Sequence, residues 1–259
     1  MHGNETITLP DGLGHETRIK LIRLEVTDST NNFLRTLSPE SDADMVVATA
    51  EHQTAGRGQG TNTWESQPAS NLLFSVLTHP QGVDITRQFV LSMAEALAVK
   101  AALDRYTDGI TLKWPNDIYW NDRKICGTLI ETSVSCRTIN RCIFGTGINI
   151  NQRTFTSDAP NPVSLAQITG HDADREEILG RFLEAFVSLH AMATNGGADT
   201  ISRLYHDALY RRTGFHAYRD NAGEFMAQIT HVDQDGRLHL TDNSQRQRDY
   251  TFKEIQFII

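Results

Sequence analysis

Nowhere in these 259 residues does an apolar run reach the length that crosses a bilayer, and the opening stretch MHGNETITLPDGLGHETRIK lacks the apolar core of a secretory signal. These absences exclude a helical membrane protein and place the chain in the cytoplasm, with no membrane partner. Cysteine is scarce: Cys126, Cys136 and Cys142 show no C-x-x-C spacing, and their odd number reads as reduced thiols with no assigned chemistry. Positive charge is in deficit, with 24 Lys and Arg against 32 Asp and Glu and a formal net charge of −8. A sequence-independent grip on nucleic acid needs the opposite balance, so nucleic acid is excluded as a partner and any cationic site is local. Internal repeats and low-complexity tracts are absent too, so the chain is read through its periodicities.

With 39% apolar residues the chain can build an ordinary core. Residues 20–27, 45–50, 71–78 and 110–114 have strand character, and 123–134 with 138–150 predict two long strands joined by a polar turn. Apolar spacings of three and four predict helices over 87–106, 175–193 and 199–212. The elements mix without strict βαβ alternation, which predicts an α+β fold: a mixed β-sheet flanked by helices over 20–212, after an N-terminal extension, 1–19. From Gly214 only short strands follow, with turn signals at Asn221 to Gly223 and Asp235-Gly236, predicting a small SH3-like β-barrel over 213–259. It is read as a structural cap.

Three segments carry candidate chemistry. EHQTAGRGQGTNTW (51–64) sets Arg57 among Gly56, Gly58 and Gly60. Such a loop brings backbone N–H groups close to an anion because no Cβ blocks the approach, though the same glycines would serve a plain surface turn. It has neither the Lys-Ser/Thr of a P-loop nor dinucleotide G-x-G-x-x-G spacing. LKWPNDIYWNDRKICG (112–127) places Lys113 and Lys124 around Asn116-Asp117, with Gly127 beyond, and FGTGININ (144–151) carries Gly145, Gly147 and Asn149. Glycines in strands mark a bulge or a close approach, by backbone or by ligand. Two lysines and an arginine beside glycine-bearing strands suit a polyphosphate, and Asp117 suits a magnesium ion bridging it. Ser29 and Thr30 precede an amphipathic run and read first as helix N-caps. Trp64, Trp114 and Trp120 read first as core aromatics.

In this order and spacing, STNN (29–32), QTAGRGQGTNTW (53–64), KWPNDIYWNDRKICGTLIE (113–131) and GTGININ (145–151) resemble the biotin protein ligases, and the resemblance runs from about residue 20 to the C-terminus. It implies two steps: biotin and ATP give biotinyl-5′-AMP and pyrophosphate, then the biotinyl group passes to a lysine of a biotin carboxyl carrier domain, the acceptor partner. It also implies that Ser29, Thr30, Asn31, Gln53, Gly56, Gly127, Gly145 and Gly147 line the biotin pocket, with Arg57 and Lys124 reaching the biotin carboxylate. For ATP it implies Arg57, Gly58, Gln59, Trp64, Lys113, Asn116, Asp117 and Asn149, with Lys124, Arg57 and Asp117 catalytic and Asp117 the magnesium ligand. The loop at 54–63 is expected to order over the adenylate. Many relatives carry arginines where this chain has Gln59 and Asn62, which implies a weaker hold on the adenylate. Too few residues precede Lys20 for the N-terminal DNA-binding domain of some relatives, so the expected form is monofunctional, as a monomer or homodimer. A lipoate ligase of the same fold is the first alternative, but its R-R-x-x-G-G-G-x-V signature is missing. The other is a non-catalytic biotin-binding protein that kept the pocket.

Overall fold

The computed structural model of the chain describes residues 3–37, 42–157 and 159–259. β1 (Gly3–Pro10) and β2 (Glu16–Thr27) form an antiparallel hairpin, followed by α1 (Thr30–Thr36), β3 (Met45–Gln53) and β4 (Leu72–Thr78). Next come α2 (Gln88–Leu103), β5 (Ile110–Lys113), β6 (Asp117–Trp120), β7 (Arg123–Ser135) and β8 (Thr138–Ile148). These eight strands make one sheet in the order β1-β2-β3-β4-β8-β7-β6-β5, antiparallel except where β2 meets β3. The long β7–β8 hairpin turns at Cys136-Arg137, both at positive φ (49° and 68°). Two such residues in succession give the turn twist that matches paired strands.

Three helices follow: α3 (Leu165–Thr169), α4 (Arg175–Thr194) and α5 (Ala198–Asp207). α2 and α4 cover one face of the sheet, where Val47, Phe74, Val76 and Phe144 meet Phe182 and Phe186. On the other face Leu34 of α1 packs on Ile22, Leu24, Val46, Ala48 and Ile143. Side chains alternate across a strand, so the two apolar sets interleave along the same strands. The cleft described below opens on the α1 face.

The C-terminal strands β9 (His216–Asp220), β10 (Gly223–Val232), β11 (Leu238–Asp242), β12 (Gln247–Tyr250) and β13 (Gln256–Phe257) form an antiparallel sheet ordered β12-β11-β10-β9-β13. The ladder is an open five-stranded one, so SH3-like describes its curl and strand number rather than a closed barrel. Its apolar residues Tyr218, Val232, Leu238 and Phe257 belong to the same core as the large sheet.

Several expectations change in detail. Of the N-terminal extension, residues 3–19 supply β1 and the start of β2, because Ile7 and Leu9 pack against the main core. β6 and α3, each four or five residues long, are too short to show a period. The predicted helix 199–212 ends at Asp207, beyond which the chain pairs with β5: Leu112 N donates to Ala208 O and Tyr210 N donates to Leu112 O. Cys136 lies in the β7–β8 turn, and Cys142 of β8 pairs with Thr132. No helix among the described residues is long and apolar enough to cross a membrane.

Candidate active site

A cleft of about 1120 Å³ is bounded by the floor of β7 and β8, the start of α1, the loop 57–65, the β5–β6 turn and the C-terminal residues from Lys253 onward. Its floor is made of glycines for a measurable reason. A Cβ on Gly147 or Gly127 would strike the indole of Trp64, and a Cβ on Gly145 would strike the carboxamide of Asn31. Thr146, between two of those glycines, faces the other way and donates to Glu95 of α2 at 2.8 Å.

One end of the cleft is a neutral, buried hydrogen-bonding cluster. Ser29 stands at the N-cap position of α1 yet makes no side-chain capping bond, so the expected capping role is not used there. The Thr30 N–H donates to Gln53 Oε1 at 2.7 Å, with the Thr30 hydroxyl 3.2 Å from the same oxygen. Ser75 Oγ lies 2.6 Å from Asn31 Oδ1 and 2.7 Å from Thr30 Oγ1. The amide oxygen of Asn31 can only accept, so the Ser75 proton is committed to it. Asn31 Nδ2 donates onward to Leu129 O at 3.2 Å and to Glu131 Oε2 at 2.9 Å. The cluster is directional and preorganised, which suits a neutral ligand with its own donors and acceptors.

The other end is cationic. Lys124 Nζ lies 2.5 Å from Asp117 Oδ1, and Lys113 Nζ lies 3.6 Å from Asp117 Oδ2. Burial holds the Lys113 ammonium below its ordinary pKa, with Lys124 adding repulsion and Asp117 opposing both. Its Nζ also stands over the rings of Tyr119 and Phe257, at 5.1 and 4.9 Å. Asn116 Nδ2 donates to Thr128 O at 2.6 Å and Thr128 N returns a bond to Asn116 O at 3.0 Å, fixing the β5–β6 turn on β7. Arg57 donates to Asn32 Oδ1 at 3.1 Å and pairs with Glu131 at 3.2 Å, sharing that carboxylate with Arg35.

Five basic side chains line the cleft, Arg57, Lys113, Lys124, Arg219 and Lys253, against two acidic ones, Glu65 and Asp117. In a protein of net charge −8 this is a local concentration of positive charge. Three buried polar atoms of cleft residues lack partners, the Trp64 Nε1 donor and the Asn149 and Asn161 Oδ1 acceptors. Leaving such atoms unpaired costs free energy, so they mark where a polar ligand fits.

The fit to magnesium is thinner. Asp117 is already paired with two lysines, and Glu65 accepts from the backbone of Thr156 and Ser157, contacts that hold its pKa near about 2 against the opposing effect of burial. An ion here would have one carboxylate from the protein, Asp117, and would need its remaining oxygens from a bound ligand and water, as magnesium often does. Elsewhere, His231, Asp233 and His239 form the one compact His and Asp group among the described residues. The two imidazoles stack at 4.1 Å and 5°, so their nitrogen lone pairs run side by side instead of converging on an ion.

Of the residues singled out in the sequence, Ser29, Thr30, Asn31 and Gln53 come together at the neutral end. Arg57, Gly58, Gln59 and Trp64 form the loop wall. Lys113, Asn116, Asp117 and Lys124 gather at the cationic end, with Gly127, Gly145, Gly147 and Asn149 along the floor. Among the residues given a ligand role, Gly56 is the exception: it does not line the cleft. A Cβ there would meet the backbone oxygen of Trp64 at 2.7 Å, so this glycine lets the loop close on itself. Sequence reasoning missed Ser75, Glu95, Glu131, Arg219 and Lys253. Ser75 and Glu95 sit inside regular elements with no local motif, Glu131 closes the 113–131 segment without having been given a role, and the last two belong to the part read as a cap.

The chain is similar to known proteins in sequence and in fold. Residues 23–149 match the model of the Biotin/lipoate A/B protein ligase family. The chain is 30% identical over 229 residues to the bifunctional ligase/repressor BirA of Bacillus spizizenii, covering 85% of this chain and 69% of that one. It is 33% identical over 178 residues to the biotin–[acetyl-CoA-carboxylase] ligase of Paracoccus denitrificans, covering 66% and 73%. In fold it is similar to the biotin protein ligase of Aquifex aeolicus in complex with biotin and ATP, with a TM-score of 0.75 and 24% identity over 91% of this chain and 97% of that one.

Proposed function

This chain belongs to the Biotin/lipoate A/B protein ligase family, and from that premise we propose that its cleft carries out both half-reactions of an ATP-dependent biotin protein ligase. Biotin is activated with ATP to biotinyl-5′-AMP, and the biotinyl group is then transferred to a lysine of a biotin carboxyl carrier domain. The observation that carries the reading is the division of one cleft into a neutral hydrogen-bonding end and a cationic end that share a glycine floor. The ureido ring of biotin suits the first, where Thr30, Asn31 and Gln53 are held in fixed orientation. The carboxylate and the phosphates suit the second.

In the first step a carboxylate oxygen bonds to the α-phosphorus and the bond from that phosphorus to the pyrophosphate oxygen breaks. Two anions repel, so fixed cations must hold them together while negative charge builds up. Arg57, Lys113 and Lys124 are those cations. Arg57 rests on Glu131 and Asn32, and Lys124 on Asp117, so both are positioned beforehand and need only a short swing to trade a carboxylate for a phosphate oxygen. Magnesium, held by Asp117 and carried on the phosphates, would supply further neutralisation of the leaving charge. In the second step the carrier's amine nitrogen bonds to the acyl carbon, AMP leaves, and the amine gives up a proton. Positive charge from Lys124 near that nitrogen favours its neutral, nucleophilic form. The carrier and the ATP supply both point to the cytoplasm as the place of reaction.

Pyrophosphate release from ATP and magnesium, measured with biotin, lipoate or octanoate, tests the reading. Release is expected with biotin alone, and Lys124→Ala should lower it by on the order of 10² to 10³, the usual loss when one preorganised charge donor is removed. Release with lipoate in place of biotin, or normal release in the variant, would overturn the assignment.

A further inference from the structure

The loop that walls the cleft carries no charge between Arg57 and Glu65; its tip reads Gly58-Gln59-Gly60-Thr61-Asn62-Thr63. It folds back as a small hairpin, with Gly58 N donating to Asn62 O at 2.8 Å and Arg57 bridging Thr63. A cation nevertheless stands at this tip, and it comes from the C-terminal sheet. A Cβ on Gly60 would lie 2.7 Å from Lys253 Nζ, so the lysine head rests directly on the loop.

Three features say that this lysine is placed. Its backbone φ is +71°, a left-handed conformation that glycine adopts freely and lysine does not. The turn holding it is anchored: Phe252 packs on Trp114 and Phe89, at 5.4 and 5.9 Å between ring centroids, and Glu254 accepts from Thr251 N at 2.6 Å. Its ammonium lines the cleft but pairs with no carboxylate among the described residues, unlike Lys124, Lys113 and Arg57. An unpaired cation held in an unfavourable backbone conformation beside a cationic cleft is poised for an anion.

We propose that Lys253 is a nucleotide-binding residue: it pairs with the phosphates of ATP under the closed loop and supplies from the C-terminal sheet the charge that the loop tip lacks. The inference rests on the ligase reading for the identity of the nucleotide. It also revises the view of the C-terminal sheet as a cap, since that sheet then completes the substrate site, and it offsets the weaker hold on the adenylate implied by Gln59 and Asn62.

Equilibrium binding of magnesium-ATP to the full chain, with biotin binding measured in parallel, tests it independently of turnover. Lys253→Gly removes the charge and relieves the backbone, so the variant should fold at least as well as the parent. It should bind ATP about tenfold more weakly, the scale of one charge-assisted contact, with a shallower salt dependence and unchanged affinity for biotin. Lys253→Arg should restore most of the loss. Unchanged ATP affinity in Lys253→Gly, or an equal loss for biotin, would overturn the proposal. Failure of the parent to release pyrophosphate with biotin while ATP binding still depends on Lys253 would remove the ligase reading and leave this one standing.

Discussion

Glu95 is fully buried on α2, accepts from Thr146 at 2.8 Å and leaves its second oxygen without a partner. Burial pushes its carboxyl up to about 8, with the Thr146 hydroxyl pulling the other way. It is therefore largely protonated at neutral pH and supports the floor from beneath without charge. A raised folded pKa means that the native state holds the proton more tightly than the unfolded chain does. The stabilisation is complete below the unfolded value, near 4.5, and is lost as pH rises through about 8. Glu95→Gln keeps the shape and the neutral character but cannot ionise. Between pH 6 and 8 the parent should lose stability relative to this variant by at most about 1.4 kcal/mol per pH unit; parallel urea midpoints for the two proteins across that range would refute it. Arg57, Lys113 and Lys124 were legible in the sequence because charged residues beside glycines and a proline stand out. Glu95 was not, since a carboxylate within an apolar helix looks like part of a solvated face until the sheet is packed against it.

At the scale of elements, the loop and the floor compete for the same space. The Trp64 indole lies against Gly127 and Gly147, its Nε1 is buried without a partner, and Lys124 Nζ stands 5.7 Å from its ring centre. A ligand on that floor must displace or restack the indole. Addition of biotin with ATP should therefore shift tryptophan emission, and Trp64→Phe should remove most of the change because Trp114 at the cleft edge is buried with its Nε1 bonded to Gly236 O and Trp120 lies outside the cleft. An unaltered shift in that variant would place the responding tryptophan away from the floor. The long strands and helices were readable from their periods, and the β7–β8 hairpin was expected with ends within two residues of those observed. The short β6 and α3 were not readable, because long-range pairing creates them: β6 exists by its ladder between β5 and β7.

For the whole molecule, the two sheets share one core. Trp114 Nε1 donates to Gly236 O at 2.9 Å, Phe89 N donates to Gln234 O at 3.0 Å, and Phe257 packs beside Tyr210. The β10–β11 turn thus plugs the base of α2 and the end of β5. Denaturant unfolding followed by far-UV dichroism and by tryptophan emission should give one coincident transition; two separated transitions would show that residues 213–259 fold as an independent unit. The sequence changes near Gly214 from helical period to short strands, and the second sheet begins at His216; neither says how tightly the parts are joined.

The sequence by itself determined the chemistry available, namely which residues carry charge, where glycine permits close approach and which segments bury a face, because these follow from local composition and period. Only the tertiary structure decided which of those groups meet. Gly56 left the cleft, Ser29 gave up its capping bond, and Lys253 reached across from the other sheet to Gly60. Contacts between residues nearly 200 positions apart are fixed by packing two sheets on one core, and no local pattern encodes that distance.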